Sequence, residues 1–106
     1  MDRVWLSVDF NELVDRDIVM LSRTGTRTDS CGRPVALYEG LPVTVYEEDV
    51  YEDGTADFLL AEGTAVRHDL AAYPFFPQVE WFCRFDPDTF RNCPKRRGEL
   101  PRSGPP

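Results

Sequence analysis

Val4, Leu6, Val8 and Phe10 alternate with Arg3, Trp5, Ser7 and Asp9, the period-two pattern of a strand with one buried face. A second alternation is clearer: Val79, Trp81, Cys83 and Phe85 are interleaved with Glu80, Phe82, Arg84 and Asp86. Ile18, Val19, Met20 and Leu21 form a continuous apolar run, which predicts a central strand covered on both sides. Val35 to Tyr38 resumes this β character, and Val43 to Val50 is β-branched and aromatic with acids between. Asp53-Gly54 then supplies a turn, and Phe58 through Val66 returns as a long strand, so the two segments predict a hairpin. Gly63 in the middle of the returning strand marks a bulge or bend.

The connecting segments predict less. Asn11 to Asp17 has room for a single helical turn, too short to be stable alone. Arg23 to Pro34 has no periodicity and is expected to be a long mobile loop. Tyr73-Pro74-Phe75-Phe76-Pro77 places two prolines around aromatic residues, a stiff loop rather than a central strand, because proline donates no ladder hydrogen bond. The expected fold is therefore mainly β: a small antiparallel barrel or sandwich of five to six strands, SH3-like or OB-like, with at most one short helical turn. The alternative is an α+β arrangement with a single sheet. At 106 residues the chain makes one domain, expected to span 1–91, followed by a basic Pro/Arg-rich tail at 92–106 that is expected to be disordered.

Charge changes this picture more than composition does. Nineteen acids against twelve bases give −7, yet 91–106 carries five bases and one acid, so the tail is +4 and the preceding body is −11. No basic residue occurs between Arg33 and Arg67, a stretch that holds eight acids. Such a body repels phosphate, which argues against nucleic acid and for a basic protein partner. Eleven of the twelve bases are arginine, which reads as a GC-rich, bacterial coding sequence. No window approaches eighteen apolar residues, and the first residues lack a basic segment followed by an apolar one. With three cysteines and no close pair, the expectation is a cytoplasmic protein with reduced thiols and no membrane partner.

Candidate chemistry is thin. Asp49, Asp53, Gly54 and Asp57 partly match a calcium loop, but Tyr51 and Leu60 stand where ligands belong, and strands flank it rather than helices. The segment reads as a solvated acidic hairpin tip. Cys31, His68, Cys83 and Cys93 lack the close ligand pairs of structural zinc sites, and no metal or cofactor is expected. Cys31, near Arg27 and Arg33, is the one plausible nucleophile, with His68 as its sole possible base and no third group to orient it. Catalysis is therefore not expected.

Aromatic density is the strongest signal. Residues 73–90 hold Tyr73, Phe75, Phe76, Trp81, Phe82, Phe85 and Phe90, seven of the thirteen aromatics. Interfaces enrich such residues, and proline bracing lowers the cost of ordering them. The expected function is a non-enzymatic acidic interaction module, of the kind seen in inhibitors or immunity-type proteins that neutralise a basic partner. Its candidate contacts are Tyr73, Phe75, Phe76 and Phe82 with Glu47, Glu48 and Asp49, and the aromatic segment could equally join two copies of the chain. The alternative is a small β-barrel binding a peptide or small molecule in an aromatic groove of Tyr73, Trp81 and Phe82.

Overall fold

The computed structural model describes residues 3–50, 52–54 and 56–94, leaving out the side chain of residue 94. The chain is mainly β. Its strands are β1 (Val4–Ser7), β2 (Leu13–Asp15), β3 (Ile18–Ser22), β4 (Thr26–Thr28), β5 (Pro34–Ala36), β6 (Pro42–Val50), β7 (Ala56–Arg67), β8 (Trp81–Phe85) and β9 (Arg91–Pro94), with 3-10 turns at Phe10–Glu12 and Pro87–Thr89. Seven strands form one sheet in the order β1-β6-β7-β8-β3-β2, with β9 paired to β7, while β4 and β5 form a separate hairpin.

The β6–β7 hairpin is the spine of the sheet. Its register runs from Pro42↔Thr64 to Val50↔Ala56, and Gly54 turns the tip at φ +87°, where a Cβ is disfavoured. One long edge of β7 serves two partners in turn. Gly63 to Arg67 pair with Phe85 to Trp81, and Asp57 to Leu60 pair with Pro94 to Arg91. Between them the chain leaves the ladder through the 3-10 turn, and Thr89 ties that turn back, its hydroxyl accepting from the backbone N–H of Glu62 at 2.9 Å. The proposed boundary between body and tail thus falls within β9, and the rest of the expected tail, 95–106, lies outside the described residues.

Mixed strand direction overturns the purely antiparallel expectation: β1 runs parallel to β6. The sheet is also not a closed barrel, because β1 and β2 do not pair with each other. Arg27 stands in for the missing rung. β2 pairs only with Ile18 and Val19, which leaves Leu21 on an open stretch of β3. The Arg27 guanidinium donates to the Leu21 carbonyl from Nη1 and to the Ser7 carbonyl of β1 from Nη2, so one side chain joins the two open edges. Burial lowers its pKa from the ordinary value, opposed by the nearby Tyr46.

Two connecting segments differ from expectation. Instead of a mobile loop, Arg23 to Pro34 contains most of the β4–β5 hairpin, in which Thr26, Arg27 and Thr28 pair with Ala36, Val35 and Pro34. Asp29 fixes its turn, Oδ1 accepting from the N–H of Cys31 at 2.9 Å and of Arg33 at 2.8 Å. Asn11 to Asp17 holds the end of a 3-10 turn and a three-residue edge strand rather than a helical turn alone.

Both faces of the sheet are covered. Leu6, Val19, Val43, Val45, Ala61, Ala65, Cys83 and Phe85 fill one face beneath Leu37 and Leu41. Trp5, Phe58 and Leu60 form a cluster with Tyr46 and Cys93, and Ile18, Val79 and Phe82 form another with Met20, Val66 and Tyr73. This corrects the one-sided reading of the first strand, since Trp5 is as buried as its alternating neighbour Leu6. Each large side chain so enclosed contributes roughly 1.5–3 kcal/mol from apolar burial.

Candidate functional site

Beyond the paired ends of β7 and β8, the segment 68–80 loops out and returns. The His68 N–H donates to the Glu80 carbonyl at 2.9 Å and closes the base of this loop. Asp69 shapes its first limb, its Oδ1 accepting from Ala71 and its carbonyl from the Tyr73 N–H. The N–H of Val79 donates to the Phe76 carbonyl at 3.0 Å and makes the far turn. Within that turn Phe76 has φ +58°, the left-handed region that L side chains avoid, at a cost of roughly 1–2 kcal/mol. The strained residue lies in an exposed stretch of the loop, 74–78. Phe75 is 64% exposed and Phe76 41%, and their rings meet edge to face at 6.5 Å.

The other two aromatic candidates face inward. Phe82 is 1% exposed, which removes it from the candidate surface. It does point away from Trp81 and Phe85, as alternation demands, but that side of the sheet lies under the loop. Tyr73 packs edge-on against Phe82 at 5.9 Å, and His68 lies over the same ring at 4.3 Å. Tyr73 is half-buried, and its hydroxyl donates to Asp15 Oδ2 at 3.2 Å, so it serves mainly as a cover for Phe82. Trp81 is 3% exposed beneath the Arg67 guanidinium, so the groove imagined from Tyr73, Trp81 and Phe82 does not form.

A different groove, of about 500 Å³, does open beside Phe76. Met20, Leu21, Ser7, Arg23 and Arg27 line it, so it lies along the seam that Arg27 bridges. The Arg27 guanidinium donates to the carbonyls of Leu21 and Ser7 and to the Ser7 hydroxyl.

The acidic candidates lie on β6, in its hairpin with β7. Asp49 pairs in register with Asp57, ten positions along β7 from Arg67, and at a strand's rise that separation is about 33 Å. The molecule is 43 Å long. The groove beside Phe76 also takes in Ser7, Val8 and Asp9, and Ser7 pairs in register with Tyr46, the neighbour of Glu47. Glu47 is further committed internally, its Oε1 accepting from the Phe10 N–H at 3.2 Å, while Glu48 is exposed and Asp49 half-buried.

The residues considered for metal or nucleophilic chemistry are dispersed. Cys83 belongs to one face of the sheet, and Cys93 packs with the cluster on the other. Burial pushes the Cys83 thiol up to about 12, so it stays protonated at neutral pH. His68 turns its two ring nitrogens to the carbonyls of Val79 and Tyr73, and neither is directed at exposed Cys31. Among the described residues, no group of three or more His, Cys, Asp or Glu side chains is placed to hold a metal, and no helix is long and apolar enough to cross a membrane. Sequence reasoning missed both Arg27 as a bridge and His68 as the brace of the loop. Their partners are backbone carbonyls, which carry no residue signature.

Comparison with protein-family models, with curated proteins and with solved structures finds no match.

Proposed function

We propose that this chain is a non-catalytic interaction module that docks a protein partner on Phe75 and Phe76. The observation that carries the reading is the exposed pair of rings on a loop with Phe76 in a left-handed conformation. Exposing two phenylalanines brings no folding benefit, and a strained, proline-braced backbone presents them in one shape. That preorganisation lowers the ordering cost of binding, and aromatic residues dominate binding energy at interface centres. The net charge of −7 supports a basic partner. The acidic hairpin adds a long-range attraction that steers the approach of such a partner.

The test is affinity capture from the producing cells with the wild-type chain and a Phe75→Ala/Phe76→Ala variant, each checked for an unchanged melting temperature. The expected result is a partner retained by the wild type and lost by the variant. Equal capture by both would overturn the reading. Light scattering belongs to the same test, since self-association abolished by the double substitution would make the partner a second copy.

A peptide or small ligand in the seam groove is the second reading, favoured by the apolar floor of Met20 and Leu21 beside Arg27. Capture lost in Met20→Lys but kept in the double phenylalanine variant would select it.

A further inference from the structure

His68 stands at the base of the aromatic loop, and both its ring nitrogens meet atoms that can only accept a hydrogen bond. Nδ1 lies 2.8 Å from the Val79 carbonyl oxygen, and Nε2 lies 2.6 Å from the Tyr73 carbonyl oxygen. A neutral imidazole has one N–H and one lone pair, whereas the imidazolium has two N–H groups. Only the protonated ring can donate to both carbonyls. These belong to opposite limbs of the loop, one preceding Pro74 and one following Pro77, so the charged ring staples the limbs together. Its tilted position on Phe82, at 4.3 Å and 37°, also lets the charge gain from the face of that ring.

We propose that His68 is a proton-operated latch on the docking loop. In the protonated state it holds 68–80 closed over Phe82 with Phe75 and Phe76 presented. In the neutral state it keeps one of the two bonds and sets a lone pair against the other carbonyl, and that limb comes free. This regulation rests on the docking role proposed for Phe75 and Phe76.

The neighbouring charges are mixed. Arg67 and Asp69 flank His68 in the chain, and Arg67 pairs with Glu80 at 3.2 Å. Glu39 accepts from the Arg67 N–H at 3.2 Å, and Asp15 of β2, Asp17 just before β3 and Arg84 of β8 act on Tyr73, which packs on the same ring of Phe82. The two carbonyls are the groups that meet the ring nitrogens, and only the charged ring donates to both. The sign is fixed: two bonds when protonated and one when neutral mean that closure weakens as pH rises.

Hydrogen exchange on the isolated chain tests this, read as protection factors so that the intrinsic pH dependence of exchange is removed. In the wild type, protection at the N–H groups of Tyr73 and Val79 should fall about tenfold from pH 5.5 to pH 8.0, the scale of losing one hydrogen bond to a charged group. In His68→Gln it should be flat, and amides of the β6–β7 hairpin should be indifferent in both proteins. Nitrogen NMR of the wild-type ring gives a reading that needs no variant: at pH 5.5 both nitrogens should carry protons. A neutral tautomer at pH 5.5, or wild-type protection that does not change with pH, would overturn the latch. No partner is present in these measurements, so the latch can fail while capture still depends on Phe75 and Phe76, and it can hold while capture does not.

Discussion

A methyl group at residue 63 would lie 2.6 Å from the Cα of Phe85 and closer still to the carbonyl oxygen of Arg84. Both obstacles are backbone, and neither can swing aside. Gly63→Ala is therefore expected to destabilise the fold by about 3 kcal/mol, at the upper end of overpacking costs, as read from urea denaturation. A cost below about 1 kcal/mol would mean that β7 and β8 separate easily at this point. The sequence marked Gly63 as a bulge or bend because glycine is unfavourable inside a strand. It did not show which backbone presses on it, because Arg84 and Phe85 are more than twenty positions away. At Phe82 the same limit had a larger effect. Alternation gave the direction of the side chain correctly, but whether that direction is solvent or core depends on where residues 68–80 fold.

At the scale of elements, the long alternating strands were legible, and of the three-residue ones β2 and β4 were not. β6, β7 and β8 carry enough β-branched and aromatic residues to set a period, and Asp53-Gly54 fixed the hairpin between the first two. β2 and β4 are too short for a period to register, while β5 showed only as the β character expected from Val35 to Tyr38. The β4–β5 hairpin depends instead on Asp29 capping its turn and on Arg27 reaching across to β3 and β1. The aromatic loop is an element of another kind, inward on one side and outward on the other. Phe82→Ala is expected to cost about 3–5 kcal/mol, because it empties the space beneath His68 and Tyr73. Phe75→Ala should stay within about 0.5 kcal/mol, as an exposed residue would. Chemical denaturation of the two variants measures both, and equal costs would contradict the two-sided loop.

For the whole molecule, the acidic stretch lies on the β6–β7 hairpin and the aromatic pair on the loop that follows β7. Charge reversal by Glu48→Lys with Asp49→Lys is expected to slow association with a captured partner about tenfold at low ionic strength and to leave dissociation unchanged, because steering acts before contact. Glu47 is spared in this design, since it holds the Phe10 N–H. Surface plasmon resonance at two salt concentrations separates the rates. A faster dissociation in the charge variant would place the acidic end inside the interface. The open seam is also a property of the whole. Strand number and length suggested a barrel, but closure needs β1 and the other edge to meet in register, and here one arginine spans the place where they do not.

Local physics set what the sequence determined by itself: a mainly β chain, the hairpin at Asp53-Gly54, the stiff proline-braced loop and the acidic stretch without a base. Each follows from side-chain period, turn chemistry or charge within a few neighbouring residues. Tertiary structure alone decided that the second face of the sheet is buried, that Phe75 and Phe76 rather than Phe82 meet solvent, and which backbone carbonyls Arg27 and His68 bind. Those outcomes depend on contacts between distant segments, and a carbonyl oxygen looks the same at every position in a sequence.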